Sequence, residues 1–212
     1  MKQVPFIAVE GPIGAGKTSL AEKISSHFQF HLLKEIVEEN PFLGKFYNNI
    51  EEWSFQTEMF FLCNRYKQLE DVKHIYLDRG IPVVSDYHIF KNMIFAKLTL
   101  QNHHYQKYEQ IYRILTKDMP EPNILIYLDA SLDTLLKRIQ LRNRDVEQNL
   151  QADYLKKLSE DYRMFMEQFE QDYPDIPLIR INADELDFVH QPEDWDHLSS
   201  IIENHLKRSI ST

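Results

Sequence analysis

Residues 11 to 18 read Gly11-Pro12-Ile13-Gly14-Ala15-Gly16-Lys17-Thr18 and satisfy the pattern G-x-x-x-x-G-K-[ST] at every fixed position. The context suits the pattern. An apolar run, Phe6 to Val9, ends at Glu10 just before the loop, and a helical pattern opens at Thr18. A chain carrying this stretch needs a strand that delivers the loop and a helix whose free N-terminal N–H groups point at an anion. Glycine usage points to the same window. The chain has only 5 glycines, where average usage would give roughly 15, and Gly11, Gly14 and Gly16 fall within it. Glycine has been kept where backbone approaches something closely or takes a positive φ.

The rest of the chain extends the strand-loop-helix unit. Short apolar runs recur at Phe6 to Glu10, Leu32 to Glu35, Pro82 to Asp86, Asn123 to Asp129 and Pro177 to Asn182, separated by segments of helical period. That alternation predicts an α/β fold: a parallel sheet covered on both faces, in three layers. Asn40-Pro41 has the N-cap and N1 chemistry of a helix start, and Ser131 caps another. Ile50 to about Asp71 lacks Gly and Pro and should form one long helix. The acidic segment Asp184 to Asp196 reads as a solvated loop before a last helix from about Trp195 to Lys207. With 212 residues and no linker, repeat or low-complexity stretch, one domain is expected.

Charge and cysteine usage narrow the function. The 24 Lys+Arg against 33 Asp+Glu give a net charge of −9, which disfavours non-specific polynucleotide binding. Cys63 is the single cysteine, so no intrachain disulfide or cysteine metal cluster is expected. It reads as a buried helical thiol in a reducing compartment. No apolar run approaches the roughly 18 residues of a membrane span, and the N-terminus lacks a signal-peptide pattern. A cytoplasmic protein is expected.

The loop implies nucleoside triphosphate binding: backbone N–H groups around phosphate oxygens, Lys17 as a point charge, and the Thr18 hydroxyl for Mg²⁺. No guanine-reading Asn-Lys-x-Asp occurs, so a phosphate acceptor is sought. Between Glu35 and Phe60 there are six carboxylates (Glu35, Glu38, Glu39, Glu51, Glu52, Glu58) and one cation, Lys45. A phosphorylated acceptor calls for arginines there; an uncharged alcohol calls for a carboxylate to take its proton. Glu35, directly after the second strand, sits at the carboxyl end of the sheet, where ligands bind in such folds. Glu38 and Glu39 read as charges leading a helix.

Glu58 and Arg65, seven apart on the long helix, return to nearly the same face and could present an acceptor and a donor to one planar ligand. Asp86 ends the third strand, the position of a Mg²⁺-associated carboxylate. Asp78 precedes that strand, at the wrong end of the sheet. Lys137, Arg138, Arg142 and Arg144 cluster at the end of the helix after the fourth strand. Arg138 and Arg142 share a face, suited to a charge clamp on transferring phosphate in a closing lid at about 138–148.

Together these motifs resemble the deoxyribonucleoside kinase family, and most nearly its bacterial deoxyguanosine kinase branch. The resemblance runs through Gly11 to Thr18, Glu35-Ile36-Val37, Asn40-Pro41-Phe42-Leu43, Trp53-Ser54-Phe55, Ser85-Asp86-Tyr87-His88 and Leu141-Arg142-Asn143-Arg144. It implies γ-phosphate transfer from ATP to the 5′-hydroxyl of a deoxynucleoside, with Mg²⁺, on a five-stranded parallel sheet, in a homodimer or paired with a related kinase chain. Glu35 matches the general base. Tyr47 and Glu147 match residues that hold the sugar 3′-hydroxyl, Arg65 a base-side arginine, and Arg138, Arg142 and Arg144 lid arginines. Phe188 falls in the loop near the donor's adenine. Asn92 completes a substrate-side set with Glu35, Tyr47, Glu58, Arg65 and Glu147.

Two departures bear on the chemistry. The third strand of the family usually ends in an acid-Arg-Ser triplet, but here it reads Asp86-Tyr87-His88. The arginine beside Glu35 is missing, and Lys91 is the candidate replacement. Glu58 stands where many relatives carry Gln. An ionised carboxylate is an acceptor-only fork, suited to the adjacent N1–H and 2-amino donors of guanine, while adenine would meet it with a lone pair. Deoxyguanosine is therefore the expected acceptor. A deoxyadenosine or broad-purine kinase is the nearest alternative, and a nucleoside monophosphate kinase or a regulator without turnover lies further off.

Overall fold

The computed structural model describes residues 4–37, 39–147 and 150–211. Glu38 and the last position of the expected lid, 148, fall outside them. The strands are β1 (Phe6–Glu10), β2 (His31–Leu33), β3 (Val83–Ser85), β4 (Ile124–Asp129) and β5 (Leu178–Asn182). They form one parallel sheet in the order β2-β3-β1-β4-β5. The middle strand is the one that leads into the glycine-rich loop. Ile7 sits between Val84 and Ile124, and every residue of β1 is buried. This is the pattern of a strand covered on both faces. The expected α/β architecture is present.

The helices are α1 (Lys17–Phe28), α2 (Leu43–Asn48), α3 (Ile50–Asp71), α4 (Lys91–Thr99), α5 (Asn102–Thr116), α6 (Leu132–Arg142), α7 (Ala152–Asp172) and α8 (Pro192–Ser211). No helix among the described residues is long and apolar enough to cross a membrane. Leu20 and Ile24 of α1, Leu135 of α6, Leu155 and Tyr162 of α7 and Ile202 of α8 share one apolar cluster with β1 and β4. Leu62 and Leu69 of α3, Ala96 of α4 and Tyr108 of α5 form a second cluster with Phe6 and Val83.

Helix α3 spans the expected residues, capped by Asn49, whose side chain accepts from the Glu52 N–H. Its buried stripe is unusual in composition: Ser54, Thr57, Glu58, Phe61, Leu62, Arg65 and Leu69. Two charged residues on the inward face mark a helix that lines a polar cavity. Cys63 lies off this stripe and is exposed, which corrects the expectation of a buried thiol.

Three boundaries differ from expectation. Asn40 accepts from the Phe42 N–H through its side chain (2.9 Å), closing a turn ahead of α2, which starts at Leu43. Helix α8 starts at Pro192, where a proline's missing N–H costs nothing at the first helical position. The Asp184 to Asp196 segment is not simply solvated: Phe188 is buried, and Asp184 accepts from Ser131 N (2.8 Å) and Oγ (3.1 Å). Ser131 caps α6 as expected, accepting from the Thr134 N–H.

Candidate active site

The loop between β1 and α1 takes positive φ at Gly11 (+151°), Gly14 (+85°) and Gly16 (+101°). At Gly11 a Cβ would lie 2.5 Å from the Leu128 carbonyl oxygen, so no side chain fits. Gly16 is the N-cap of α1 and brings no capping side chain, which leaves the helix N-terminus open toward the cavity. The Lys17 ammonium donates to the Gly11 and Pro12 carbonyls at 2.8 and 2.9 Å. Burial, with Lys91 nearby, pulls it down to about 8. Glu10, the last residue of β1, is fully buried. It accepts from His88 N (2.6 Å), Tyr162 Oη (3.1 Å) and Gly11 N (3.3 Å). Burial holds its carboxyl above the ordinary range, and its contacts tie the loop to the segment after β3.

The parallel pairing of Leu33 with Ser85 carries the chain leaving β2 alongside the chain leaving β3. Glu35 N then donates to Asp86 Oδ1 (2.7 Å), and Thr18 Oγ1 donates to Asp86 Oδ2 (2.6 Å). Asp86 thus bridges the phosphate loop and the acceptor side.

Both oxygens of Glu35 are engaged by cations. Arg65 donates to Oε1 through Nε (2.9 Å) and Nη2 (2.5 Å), and Lys91 Nζ donates to Oε2 (2.9 Å). Burial opposes ionisation of Glu35, but Lys91 and Arg65 outweigh it and hold the carboxyl well below the usual carboxylate range. Lys91, the expected replacement for the missing arginine, does stand beside Glu35. Tyr87, which occupies the arginine's place, turns inward, and its hydroxyl donates to Gln68 Oε1 (2.7 Å). Arg65, expected at the edge of a planar ligand, points to Glu35 and Asn92. The fork was not foreseen, because 30 residues separate Arg65 from Glu35.

Asn92 requires a correction. Its side chain is fully buried, accepting from Arg65 Nη1 (2.7 Å) and donating to Tyr108 Oη (2.6 Å). Near the start of α4 it faces inward and does not line the cavity; it braces Arg65.

Glu58 is 2% exposed. Its Oε1 accepts weakly from Thr99 Oγ1 (3.3 Å), and its Oε2 has no hydrogen-bond partner in the structure. Burial pushes its carboxyl up to about 7 against the pull of Arg65. Tyr47 meets Tyr154 edge to face, with ring centroids 6.4 Å apart.

On the opposite wall, α6 ends at Arg142, with Asn143 left-handed at φ 49° as its C-cap, one of the few non-glycine residues that adopt this readily. Arg138 donates to the Ala15 carbonyl (3.0 Å) and the Ala183 carbonyl (2.9 Å). Arg142 donates to Glu147 Oε2 (2.6 Å), and Arg144 lies 3.8 Å from Glu147.

A single cavity of about 810 Å³ joins these groups. Ile13, Gly14, Gly16, Lys17 and Thr18 line one end; Glu35, Tyr47, Glu58 and Arg65 line the other. Asp86 sits between, and Arg138, Arg142, Arg144, Glu147 and Phe188 line the side formed by the end of α6 and the loops after α6 and β5. Gly11, Pro12 and Ala15 form the buried base of the loop. Tyr154, Phe61 and Phe95 also line the cavity; single aromatics on helices carried no signal to mark them.

The sequence profile of the family described as "Deoxynucleoside kinase" matches residues 7–207. The chain is 49% identical over 210 residues, 99% of its length and 100% of the relative's, to a deoxyguanosine kinase of Bacillus subtilis (strain 168). It is 34% identical to a deoxyadenosine kinase of Dictyostelium discoideum, over 84% of this chain and 72% of that one. Its structure is similar to that of a deoxyadenosine kinase from M. mycoides with the products dCMP and dCDP bound. The TM-score is 0.80 and the identity 26%, covering 94% of this chain and 99% of the other.

Proposed function

This chain belongs to the deoxynucleoside kinase family, and we propose that it transfers the γ-phosphate of ATP to the 5′-hydroxyl of deoxyguanosine, giving dGMP and ADP. The observation that carries this reading is the placement of Glu35, an ionised carboxylate between two cations across one cavity from the phosphate loop. A phosphorylated acceptor would bring its negative charge against the Glu35 carboxylate, whose two cations are already engaged by it; a neutral alcohol meets there an acceptor for its proton.

In this mechanism the loop N–H groups and Lys17 hold the donor phosphates, and Arg138, Arg142 and Arg144 stabilise charge on the transferring group as residues about 138–148 close as a lid. Glu35 accepts a hydrogen bond from the 5′-hydroxyl and aims its oxygen at phosphorus. A carboxylate stabilised by Arg65 and Lys91 is a weak base. That is enough in a loose transition state, where the hydroxyl proton leaves late, as the new O–P bond makes it acidic. The bond from phosphorus to the bridging oxygen of ADP breaks, and the proton passes to Glu35. Tyr47 and Glu147 serve the sugar 3′-hydroxyl, Glu58 the base and Phe188 the adenine of ATP, while Arg65 holds Glu35 in place.

The residues present fit magnesium: the Thr18 hydroxyl and the Asp86 carboxylate converge at the phosphate end of the cavity. Magnesium takes few protein ligands beside water and phosphate oxygens, consistent with no cluster of three or more His, Cys, Asp or Glu among the described residues. Bound there, it neutralises charge on the β- and γ-phosphates.

The family resemblance also supports one kinase domain acting as a homodimer, in cytoplasmic nucleoside salvage. The reading is tested by ATP consumption with and without added deoxyguanosine, and with dGMP in its place. Consumption that depends on deoxyguanosine supports it; consumption driven by dGMP, or by neither, contradicts it.

A further inference from the structure

Glu58 is the one carboxylate of the acceptor wall that no cation contacts within hydrogen-bonding distance among the described residues. Arg65 shares its face of α3, but its Nε, Nη1 and Nη2 are directed to Glu35 and Asn92. The hydroxyl of Thr99 on α4 reaches Oε1, while Oε2 is buried and unpartnered. The other charged or titratable groups facing Glu58 are Lys91 of α4, Glu35, Tyr47 of α2, Tyr108 of α5 and Tyr154 of α7. Three of these are phenols held neutral by burial. Glu58 lines the cavity, and a buried carboxyl there with an unpaired oxygen is a ready hydrogen-bonding group for a base that packs against it.

Building on the kinase reading above, we propose that Glu58 selects between purines by its own protonation. As a carboxylate it accepts from the N1–H and 2-amino groups of guanine; as a carboxylic acid it donates to N1 of adenine and accepts from the 6-amino group. Both pairings use the two oxygens as one fork, and each is unavailable to the other protonation state. The position of its titration, pushed by burial to about 7, places both states within the working range of an enzyme.

The consequence is quantitative. If deoxyguanosine uses only the ionised form and deoxyadenosine only the protonated form, the ratio of their kcat/KM values follows the ratio of the two forms. That ratio rises about tenfold per pH unit. Groups serving both substrates alike, Lys17 and Glu35 among them, cancel from it. The reading edges of the two bases keep their charge over the same range.

The test is kcat/KM for deoxyguanosine and for deoxyadenosine, with saturating ATP and magnesium, from about pH 6 to about pH 8, on wild type and Glu58→Gln. The expected result is a wild-type ratio that climbs about tenfold per unit, and a variant ratio that is flat and shifted toward deoxyadenosine. A flat wild-type ratio overturns the proposal while leaving the kinase reading standing; so does a slope that survives in Glu58→Gln. The wild-type slope decides the matter even if the variant does not fold. Phosphorylation of neither nucleoside at any pH overturns the kinase reading and the proposal with it.

Discussion

Arg65 lies along one edge of the Glu35 carboxylate, with Nε at 2.9 Å and Nη2 at 2.5 Å from the same oxygen, while Lys91 holds the other oxygen. Two cations from different helices, Arg65 of α3 and Lys91 of α4, thus flank one carboxylate. Glu35 is kept ionised and fixed in direction.

Its replacement by Gln keeps the shape but removes the proton acceptor. For Glu35→Gln we predict that kcat falls by about 10²–10⁴-fold, with ATP affinity changed less than threefold or so. Steady-state kinetics and calorimetric titration of ATP check this. A loss of kcat below about tenfold would count against Glu35 as the base.

Lys91→Met leaves Glu35 with Arg65 alone. Both members of this pair are largely buried, and breaking such a pair costs about 3–5 kcal/mol. The pH dependence has a definite sign. The folded-state pKa of Glu35 is depressed, so its stabilisation is present above the unfolded value near 4.3 and is lost as pH falls through the folded value. Removing Lys91 raises the folded value toward the unfolded one. The stability deficit of the variant should be largest at neutral pH and shrink in acid, as measured by urea unfolding at several pH values.

Gly11 and Gly44 should respond oppositely to Ala. At Gly11 the new Cβ meets the Leu128 carbonyl oxygen at 2.5 Å, whereas at Gly44, within α2, it meets nothing within 4 Å. Gly11→Ala should destabilise by at least about 1–3 kcal/mol and abolish ATP binding; Gly44→Ala should stabilise by about 0.5–1 kcal/mol. Thermal unfolding with and without ATP checks both.

Asp86 holds the Thr18 hydroxyl and the Glu35 N–H at once. Asp86→Asn can keep the backbone contact through its amide oxygen but loses the charge. The magnesium concentration for half-maximal rate should rise by roughly tenfold or more, with thermal stability nearly unchanged. A rate that does not respond to magnesium would remove Asp86 from that role.

What was legible in the sequence follows from range. The phosphate loop is contiguous and its strand and helix flank it, so Gly11 to Thr18 could be assigned from spacing. Glu35 and Asp86 could be placed because each closes an apolar run, and run ends map to the carboxyl edge of a parallel sheet. Ser131 and the span of α3 rested on local chemistry as well. What failed depended on partners brought from afar. The Arg65 fork on Glu35, the inward turn of Asn92 toward Tyr108 and the burial of Glu10 against Tyr162 are all tertiary contacts. Cys63 was misjudged because a helix without Gly or Pro reveals its length but not, when its inward face is polar, which side is buried. Glu58 could be placed on the inward face of α3; that no cation contacts it depends on Arg65 turning to Glu35, a tertiary contact.

The central claim is tested most directly by kcat/KM for the four deoxynucleosides with ATP and magnesium at neutral to mildly alkaline pH, with the monophosphate products identified. The account predicts deoxyguanosine first, deoxyadenosine next and both pyrimidines far behind. A leading pyrimidine, or ATP turnover indifferent to every nucleoside, would contradict it.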